Sequence, residues 1–379
     1  MSHRFLTGGE SHGPCLTVIV EGFPAGLSVP EEELNRDLVR RQGGYGRSGR
    51  QRIEHDAAQF LGGVEAGVTT GGPIVMQIAN RDYANFIKKE HPPLTAPRPG
   101  HADLVGAIKY RYSDMRTALE RSSARETAAR TAAGALARLL LREFGVEVGS
   151  LVTEIGDAAA SGIDLSQPES LLEATEASPV RCPDPAATEA MKANIDNARR
   201  TGNTLGGVFV VWATGLPIGL GSYVHWDRRL DGLLAQAVMS IQAIKGVEIG
   251  EAFDNARLPG RDVHDQIYAG EQGLERRSNR AGGLEGGVTN GQPLIVRAAM
   301  KPISTTINPL QTVDVATGEA AATQYQRSDF CAVPAAGVVG EAMVAWVLAE
   351  ALHEKLGGDS LEEMRERLPS LAPKVGVFG

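Results

Sequence analysis

Apolar positions at helical spacing predict several helices along this chain. Ser28 with Glu31, and Ser123 with Glu126, have the spacing of capping boxes and predict where two of these helices begin. Gly43 is predicted to end the first of them. The second is alanine-rich and carries an apolar stripe, so we expect it to pack in the interior. The predicted helices cover residues 29–42, 123–144, about 185–199, about 230–245, and a last segment ending at Leu356.

Short apolar runs between glycines and prolines predict strands. They lie around residues 15–20, within 58–78, as a candidate pair within 205–219, and at 293–300. Residues 80–100 contain four prolines and predict a long loop, of the kind that is often functional or mobile.

Two similar pentapeptides indicate an internal duplication. GVEVG at 145–149 and GVEIG at 246–250 each follow a predicted helix and lead into a predicted strand. This pattern suggests two related parts, about 1–150 and 200–356, within a single domain that covers 1–379.

The composition is that of an ordinary globular protein, with 22% charged and 42% hydrophobic residues. The formal charge of −8 argues against nucleic acid as a general partner. Cys15, Cys182 and Cys331 are far apart and predict reduced cytoplasmic thiols, with neither disulfides nor a metal site. No signal peptide or membrane span is expected, since the best apolar run, 342–352, is short and includes Glu350.

The candidate functional residues lie in predicted loops, where packing does not require ionisable side chains. His12 and His101 each lie in a glycine-containing loop, and six arginines fall between residues 36 and 52. Arginine binds oxyanions in a bidentate manner, so the 40–52 loop predicts an anion site. The predicted helix start at Ser123 offers unpaired N–H groups to an anion.

Two later segments add to this pattern. Lys301 precedes Ser304, Thr305 and Thr306, a combination that suits a phosphate or a flavin edge, and Arg327 with Asp329 precedes the last helix. Each segment alone is equally typical of a structural loop or a polar strand end. Together they indicate a polyanionic ligand and proton transfer by histidine and aspartate.

The sequence at 44–49 matches G-x-G-x-x-G but does not predict a dinucleotide site. That fingerprint needs a strand before it and a helix after it, whereas here a predicted helix precedes it and a charged, turn-like segment follows.

The same residues resemble the chorismate synthase family. The match runs in order from about residue 4 to 356. Its motifs are GGESHG, RRQGGYGRSGR, RPGHADL, RSSARET, QAIKGVEIG, GGLEGGVTNG, KPISTT and RSDFCAVPAAGVVGEAM.

The resemblance implies an α+β fold, a β-α-β sandwich of antiparallel sheets with surrounding helices, and a homotetramer. It implies a lyase that converts 5-enolpyruvylshikimate 3-phosphate (EPSP) to chorismate and phosphate by a 1,4-anti elimination. The reaction would require reduced FMN, without net redox change, and NADPH would act only as an indirect reductant. This is the last step of the shikimate pathway, which supplies aromatic amino acid biosynthesis.

By the same resemblance, His12 would protonate or bind the departing phosphate, His101 would protonate the reduced flavin near N1, and Asp329 would deprotonate flavin N5. Arg41 and Arg47 match positions assigned in the family to NADP, and we expect them to serve EPSP here. The FMN site would comprise Arg121, Ser122, Ser123, Gln242, Ala243, Gly286, Lys301, Pro302, Ile303, Ser304, Thr305 and Arg327.

Two other functions stay open at this stage. A polyanion-binding protein, for example one that binds RNA, would use the 40–52 loop and would show a steep salt dependence of binding. A flavin reductase would use NADPH, as some fungal members of the family do. The sequence shows no extra domain for that activity, so we expect an external flavin reductase or another supply of reduced FMN.

Overall fold

The computed structural model describes residues 3–49, 53–270, 273–326 and 328–371. Its strands are Arg4–Gly8 (β1), Cys15–Glu21 (β2), Ala58–Gly62 (β3), Val64–Glu65 (β4), Val68–Thr69 (β5), Ile74–Ala79 (β6), Glu147–Ile155 (β7), Ala158–Ala159 (β8), Gly207–Thr214 (β9), Ile244–Ile249 (β10), Ile267–Gly270 (β11), Gly273–Arg276 (β12), Leu284–Glu285 (β13), Val288–Thr289 (β14), Leu294–Met300 (β15), Gln311–Val313 (β16) and Ala320–Ala322 (β17).

The α-helices lie between these strands and after the last of them. They are Glu31–Gln42 (α1), Tyr83–Phe86 (α2), Asp103–Tyr110 (α3), Arg116–Ser122 (α4), Thr127–Arg142 (α5), Leu172–Ala177 (α6), Pro185–Arg200 (α7), Leu230–Met239 (α8), Ala252–Asn255 (α9), Gly260–Val263 (α10), Val333–Leu356 (α11) and Leu361–Arg367 (α12).

Two antiparallel sheets form the outer layers of the fold. The first has the order β1-β2-β6-β3 and the second the order β10-β15-β9-β7-β8. Apart from the short β8, the second sheet repeats the first, with β7, β9, β15 and β10 in the places of β1, β2, β6 and β3. Along the chain, a small hairpin directly precedes each of two matching strands. The hairpin β4–β5 precedes β6 in the first sheet, and β13–β14 precedes β15 in the second.

Helices fill the space between the sheets. The helix α5 packs on β2 and β6 of the first sheet, while α11 packs on β7 and β9 of the second. The two helices also pack on each other, and α1 and α8 flank them. The architecture is thus an α+β sandwich in which α5 and α11 form the middle layer. The helices α6 and α7 lie against the second sheet, packed on β7.

The helix α11 is apolar on all sides because it lies in the core. In the described part of the chain it is the helix with the length and composition of a membrane span, but 94% of its apolar window is buried inside the fold. Its burial explains the hydropathy without a membrane.

Several predicted boundaries of helices and strands differ from those in the structure. Ser28 makes no capping hydrogen bond to α1, which begins after Pro30. Residues 205–219 contain one strand, β9, rather than a pair of strands. The neighbours of β9 in the sheet are β7 and β15, which lie elsewhere in the sequence. The helix α8 ends at Met239, and GVEIG belongs to the strand β10.

The start of α5 also differs from the prediction. Ser123 accepts a hydrogen bond from the Arg125 N–H, but it caps a single 3₁₀ turn, and the α-helix begins at Thr127. Glu126 does not complete the capping box. Its carboxylate instead accepts hydrogen bonds from Thr7 and Arg130.

Candidate active site

A cavity of about 810 Å³ lies where chain segments that are distant in sequence meet. Its walls come from the β1–β2 and α1–β3 loops, from residues 82–127, from the α8–β10 turn, from the segment after β15, and from the start of α11. The predicted site residues that line it are His12, Arg41, Arg47, His101, Ser122, Ser123, Gln242, Ala243, Lys301, Ile303, Ser304, Thr305 and Asp329.

His12 is held by Glu120 at the edge of this cavity. The two Glu120 oxygens accept hydrogen bonds from the His12 backbone N–H, at 2.7 Å, and from the ring Nδ1, at 2.8 Å. Phe86 stacks on the imidazole with ring centroids 4.7 Å apart and planes 14° apart. The ring is therefore fixed both along its edge and on one face.

His101 belongs to a second histidine–carboxylate pair. Its Nδ1 lies 2.6 Å from Asp103 Oδ1, and Arg98 donates to the same carboxylate at 2.8 and 3.0 Å. Burial alone would raise the pKa of Asp103, but the hydrogen bonds from His101 and Arg98 outweigh it and hold that pKa well below its usual range. Arg98 also donates to Thr305 Oγ1 at 2.8 Å, so it links the His101 loop to the predicted cofactor segment.

Asp329 is joined to the arginine loop. Its Oδ2 lies 2.9 Å from Arg47 Nη1, and its Oδ1 accepts the Ser48 N–H at 2.6 Å. The predicted base and one residue predicted to bind phosphate are therefore ion-pair partners.

Arg41 lies deeper, in a buried charge cluster with Asp56 and Arg125. Asp56 accepts hydrogen bonds from Arg41 at 2.5 Å and from Arg125 at 2.7 Å. Burial, reinforced by Arg125 and Arg47, lowers the pKa of Arg41 to about 10, although Asp56 opposes the shift. Arg41 thus stays protonated at neutral pH, and an incoming anion would relieve the crowding of positive charge.

The predicted cofactor segment after β15 faces the His101 loop. Lys301 Nζ donates to the Gly100 carbonyl at 3.1 Å and to Ser304 Oγ at 3.0 Å. Burial, aided by Lys245, lowers the pKa of Lys301. Thr306, which the sequence grouped with this lysine, instead donates to the Asn308 carbonyl. Gly100 has φ +76°, and a Cβ there would lie 3.4 Å from Ser304 Oγ.

Other predicted site residues do not line the cavity. The Arg121 guanidinium donates to the carbonyl of Thr7, in β1, at 2.9 Å and to that of Gly9, in the β1–β2 loop, at 3.4 Å. Pro302 contributes only the chain between two lining residues. Gly286 lies in the β13–β14 turn near Tyr223. Arg327 lies outside the described residues.

Comparisons with known proteins show which family this chain resembles in sequence and fold. A model of the chorismate synthase family matches residues 3–353. The chorismate synthase of Desulforamulus reducens is 57% identical over 375 residues, which cover 96% of this chain and 97% of that protein. That of Rubrobacter xylanophilus is 54% identical over 385 residues, covering 100% and 98%. A crystal structure of chorismate synthase matches with a TM-score of 0.81 at 46% identity, covering 98% and 97%.

The chain belongs to the chorismate synthase family. The predicted fold class and the predicted enzyme class, a lyase of this family, are thereby confirmed.

The cavity fits the anionic ligands expected in a chorismate synthase. Among the described residues, four of its buried polar atoms have no hydrogen-bond partner, namely Arg41 Nε, Arg47 Nε, Arg116 Nε and Gln242 Oε1. Buried polar atoms rarely stay unpaired in the working state of a protein. The arginine nitrogens suit an oxyanion, and the Gln242 oxygen suits a ring N–H such as those of a reduced flavin. Within the described ranges, no group of three or more His, Cys, Asp or Glu is placed to hold a metal ion.

Sequence reasoning missed several residues that shape this site. Arg98 and Asp103 belong to the quoted motif RPGHADL, and Arg125 to RSSARET, but only their neighbours received roles. Glu120 directly precedes RSSARET. Their position inside or beside the motifs was the available signal, while their partners became evident only from the fold.

Proposed function

We propose that this chain converts EPSP to chorismate and phosphate by a 1,4-anti elimination that requires reduced FMN. The observation that supports this most is a single cavity that brings His12, His101 and Asp329 together. These residues come from three distant parts of the sequence, and a purely structural role would not explain their convergence on one cavity.

The charge of the cavity suits EPSP, which carries one phosphate and two carboxylates. Guanidinium groups form strong, bidentate hydrogen bonds to such groups in a site that excludes water. The lining cations include Arg41, Arg47, Arg98, Arg125 and Lys301.

Reduced FMN would be held by the segment Lys301 to Thr305 together with Ser122, Ser123, Gln242 and Ala243, most of which line the cavity. Ala243 has a positive φ of 68°, and its carbonyl accepts the Lys301 N–H, so the turn and the strand β15 are fixed together. When bound, the reduced flavin supplies electron density that helps the phosphate leave and is recovered as the ring hydrogen departs.

The protein's own residues handle the protons and exclude water. His12 donates a proton to the departing phosphate, His101 keeps a proton close to the cofactor segment, and Asp329 accepts one beside Arg47. The partly apolar wall, with Met300, Ile303 and Val339, limits the access of water to the reacting groups.

A general polyanion binder fits less well, because the arginines of the 40–52 loop that the structure describes have internal partners. Arg40 pairs with Glu341 and Glu176, Arg41 with Asp56, and Arg47 with Asp329. Arg50 and Arg52 lie outside the described residues.

We also propose a homotetramer. Tyr223, Val224 and Trp226 are 76%, 68% and 77% exposed and form an apolar surface beside Gly286. A subunit contact would cover these side chains. Analytical ultracentrifugation tests this, with four chains per particle expected and a monomer contradicting it.

An anaerobic assay with EPSP tests the proposed reaction. We expect chorismate and phosphate in equal amounts with chemically reduced FMN, and neither product with oxidised FMN. NADPH with oxidised FMN is a third arm, and turnover there would identify an intrinsic flavin reductase. No product with reduced FMN would contradict the proposal.

A further inference from the structure

The carboxylate of Glu120 contacts His12 at two points, although the expected chemistry of the family assigns it no role here. Its Oε2 accepts the His12 backbone N–H at 2.7 Å and its Oε1 lies 2.8 Å from His12 Nδ1. The Glu120 side chain is only 10% exposed, so these hydrogen bonds are formed in a region largely shielded from water.

The backbone around Glu120 reinforces this contact. The Ser11 N–H donates to the Glu120 carbonyl at 3.1 Å, and the next residue, Arg121, donates to the carbonyl of Gly9 at 3.4 Å. The end of α4 therefore holds the β1–β2 loop through two successive residues. Asn80 holds the other side of the loop through the Gly13 carbonyl, at 2.8 Å.

This geometry determines where His12 carries its hydrogen. An ionised carboxylate can only accept hydrogen bonds, so Nδ1 must be the protonated ring nitrogen. Nε2 is then the nitrogen whose proton can be given away and recovered. Phe86, stacked on the ring, keeps the imidazole from rotating out of this orientation.

We propose that Glu120 is the positioning residue of His12, and that it fixes the Nδ1–H form so that Nε2 exchanges the proton with the phosphate. The inference deepens the proposed function and rests on it for the role of His12. An alternative in which Glu120 only anchors the loop makes different predictions for the ring hydrogen and for catalysis.

The variant Glu120→Gln separates these alternatives. The amide oxygen still accepts the His12 backbone N–H, so the loop keeps its anchor. The amide NH₂ faces Nδ1 and can only donate, so the ring must move its hydrogen to Nε2. Solid-state ¹⁵N spectra of protein labelled at histidine report directly which ring nitrogen carries the hydrogen. The His12 signals are identified as those missing from the spectrum of the His12→Asn variant. We expect a protonated Nδ1 in the wild type and an unprotonated Nδ1 in Glu120→Gln.

Kinetics provide the second measurement. We expect kcat of Glu120→Gln to fall by about 10²–10⁴-fold, as for other misoriented catalytic histidines. We expect KM for EPSP to change by less than about threefold, because Glu120 would act on the reacting proton rather than on binding. Glu120→Asp, whose shorter side chain keeps the acceptor, should recover part of the loss.

A control is the exposed ion pair of Arg257 and Asp254, whose Nη1–Oδ1 distance is 3.0 Å. Asp254→Asn should leave kcat unchanged. A protonated Nδ1 that persists in Glu120→Gln, or a wild-type kcat in that variant, would overturn the inference. If the wild type forms no chorismate, the proposed function fails, while the spectra still decide whether Glu120 sets the protonation of His12.

Discussion

At the scale of residues, each predicted catalytic group has a charged partner that the fold brings to it. His12 lies against Glu120, His101 against Asp103, and Asp329 against Arg47. Such partners orient a group that transfers a proton and stabilise one of its charge states.

The variant Asp329→Asn tests the role of this carboxylate. The amide cannot take up a proton, and its NH₂ group would face Arg47, so we expect turnover to fall by about 10²–10⁴-fold. The fold should persist because the side chain lies at the cavity wall. Turnover and thermal unfolding are measured together, with Asp196→Asn at an exposed site as the control. Near-normal turnover in Asp329→Asn would refute the assignment.

The sequence predicts candidate reactive residues more readily than the partners that hold them. A histidine between glycines is conspicuous because packing does not require it, and the family motifs added its role. Arg121 is predicted to bind the cofactor because it begins RSSARET, and the structure shows its side chain donating to the Thr7 and Gly9 carbonyls, which the sequence did not predict. Side-chain direction at the end of α4 depends on where the helix ends, and the sequence did not predict α4.

At the scale of elements, the close packing of α5 on α11 depends on small residues. A Cβ built on Gly134 would lie 2.3 Å from the Cα of Ala342 in α11. No side chain fits in this contact unless the two helices move apart.

We therefore expect Gly134→Ala to destabilise the protein by about 1–3 kcal/mol through overpacking, despite a gain in helix propensity of about 1 kcal/mol. Chemical denaturation measures this as a lower midpoint. The control Gly232→Ala lies on the exposed side of α8, where the nearest atom to a new Cβ is 4.0 Å away. That variant should be as stable as the wild type or slightly more so. Equal midpoints for both variants would contradict the prediction.

The sequence predicted the long helices well because their apolar period extends over several turns. The prediction failed where tertiary contacts determine the place of a segment in the fold. GVEVG and GVEIG look like copies, but they lie on β7 and β10, which occupy different places in the sheet order. The segments at corresponding places are GGVEAGVT and GGLEGGVT, which form the β4–β5 and β13–β14 hairpins.

At the scale of the whole molecule, a buried histidine pair joins the N-terminal strand to the end of α11. His353 lies 2.7 Å from the Gly358 carbonyl through Nε2, so that nitrogen donates and Nδ1 must accept from His3 Nε2, also at 2.7 Å. His3 Nδ1 is then unprotonated and, among the described residues, has no partner. Burial and the neighbouring His353 lower the pKa of His3 from 6.5 to about 3.

This pair predicts a loss of stability in acid. Above the unfolded-state pKa of 6.5 both states are neutral, and as the pH falls towards 3 only the unfolded state binds the proton. The free energy of unfolding should therefore fall by up to about 1.4 kcal/mol per pH unit between about pH 6 and 4 from this group. His3→Gln keeps a donor to His353 without titrating and should reduce that slope. The exposed control His264→Gln should retain it, and an unchanged slope in His3→Gln would disprove the prediction.

The central claim, that this cavity carries out the elimination, is tested most directly by an anaerobic single turnover of EPSP on the protein loaded with reduced FMN. Wild type and His12→Ala are compared, with chorismate and phosphate measured in the same samples. We expect equal amounts of both products from the wild type, and both slowed by at least about 10²-fold in His12→Ala. Absence of product from folded, flavin-loaded wild type, or equal rates in the two proteins, would contradict the account.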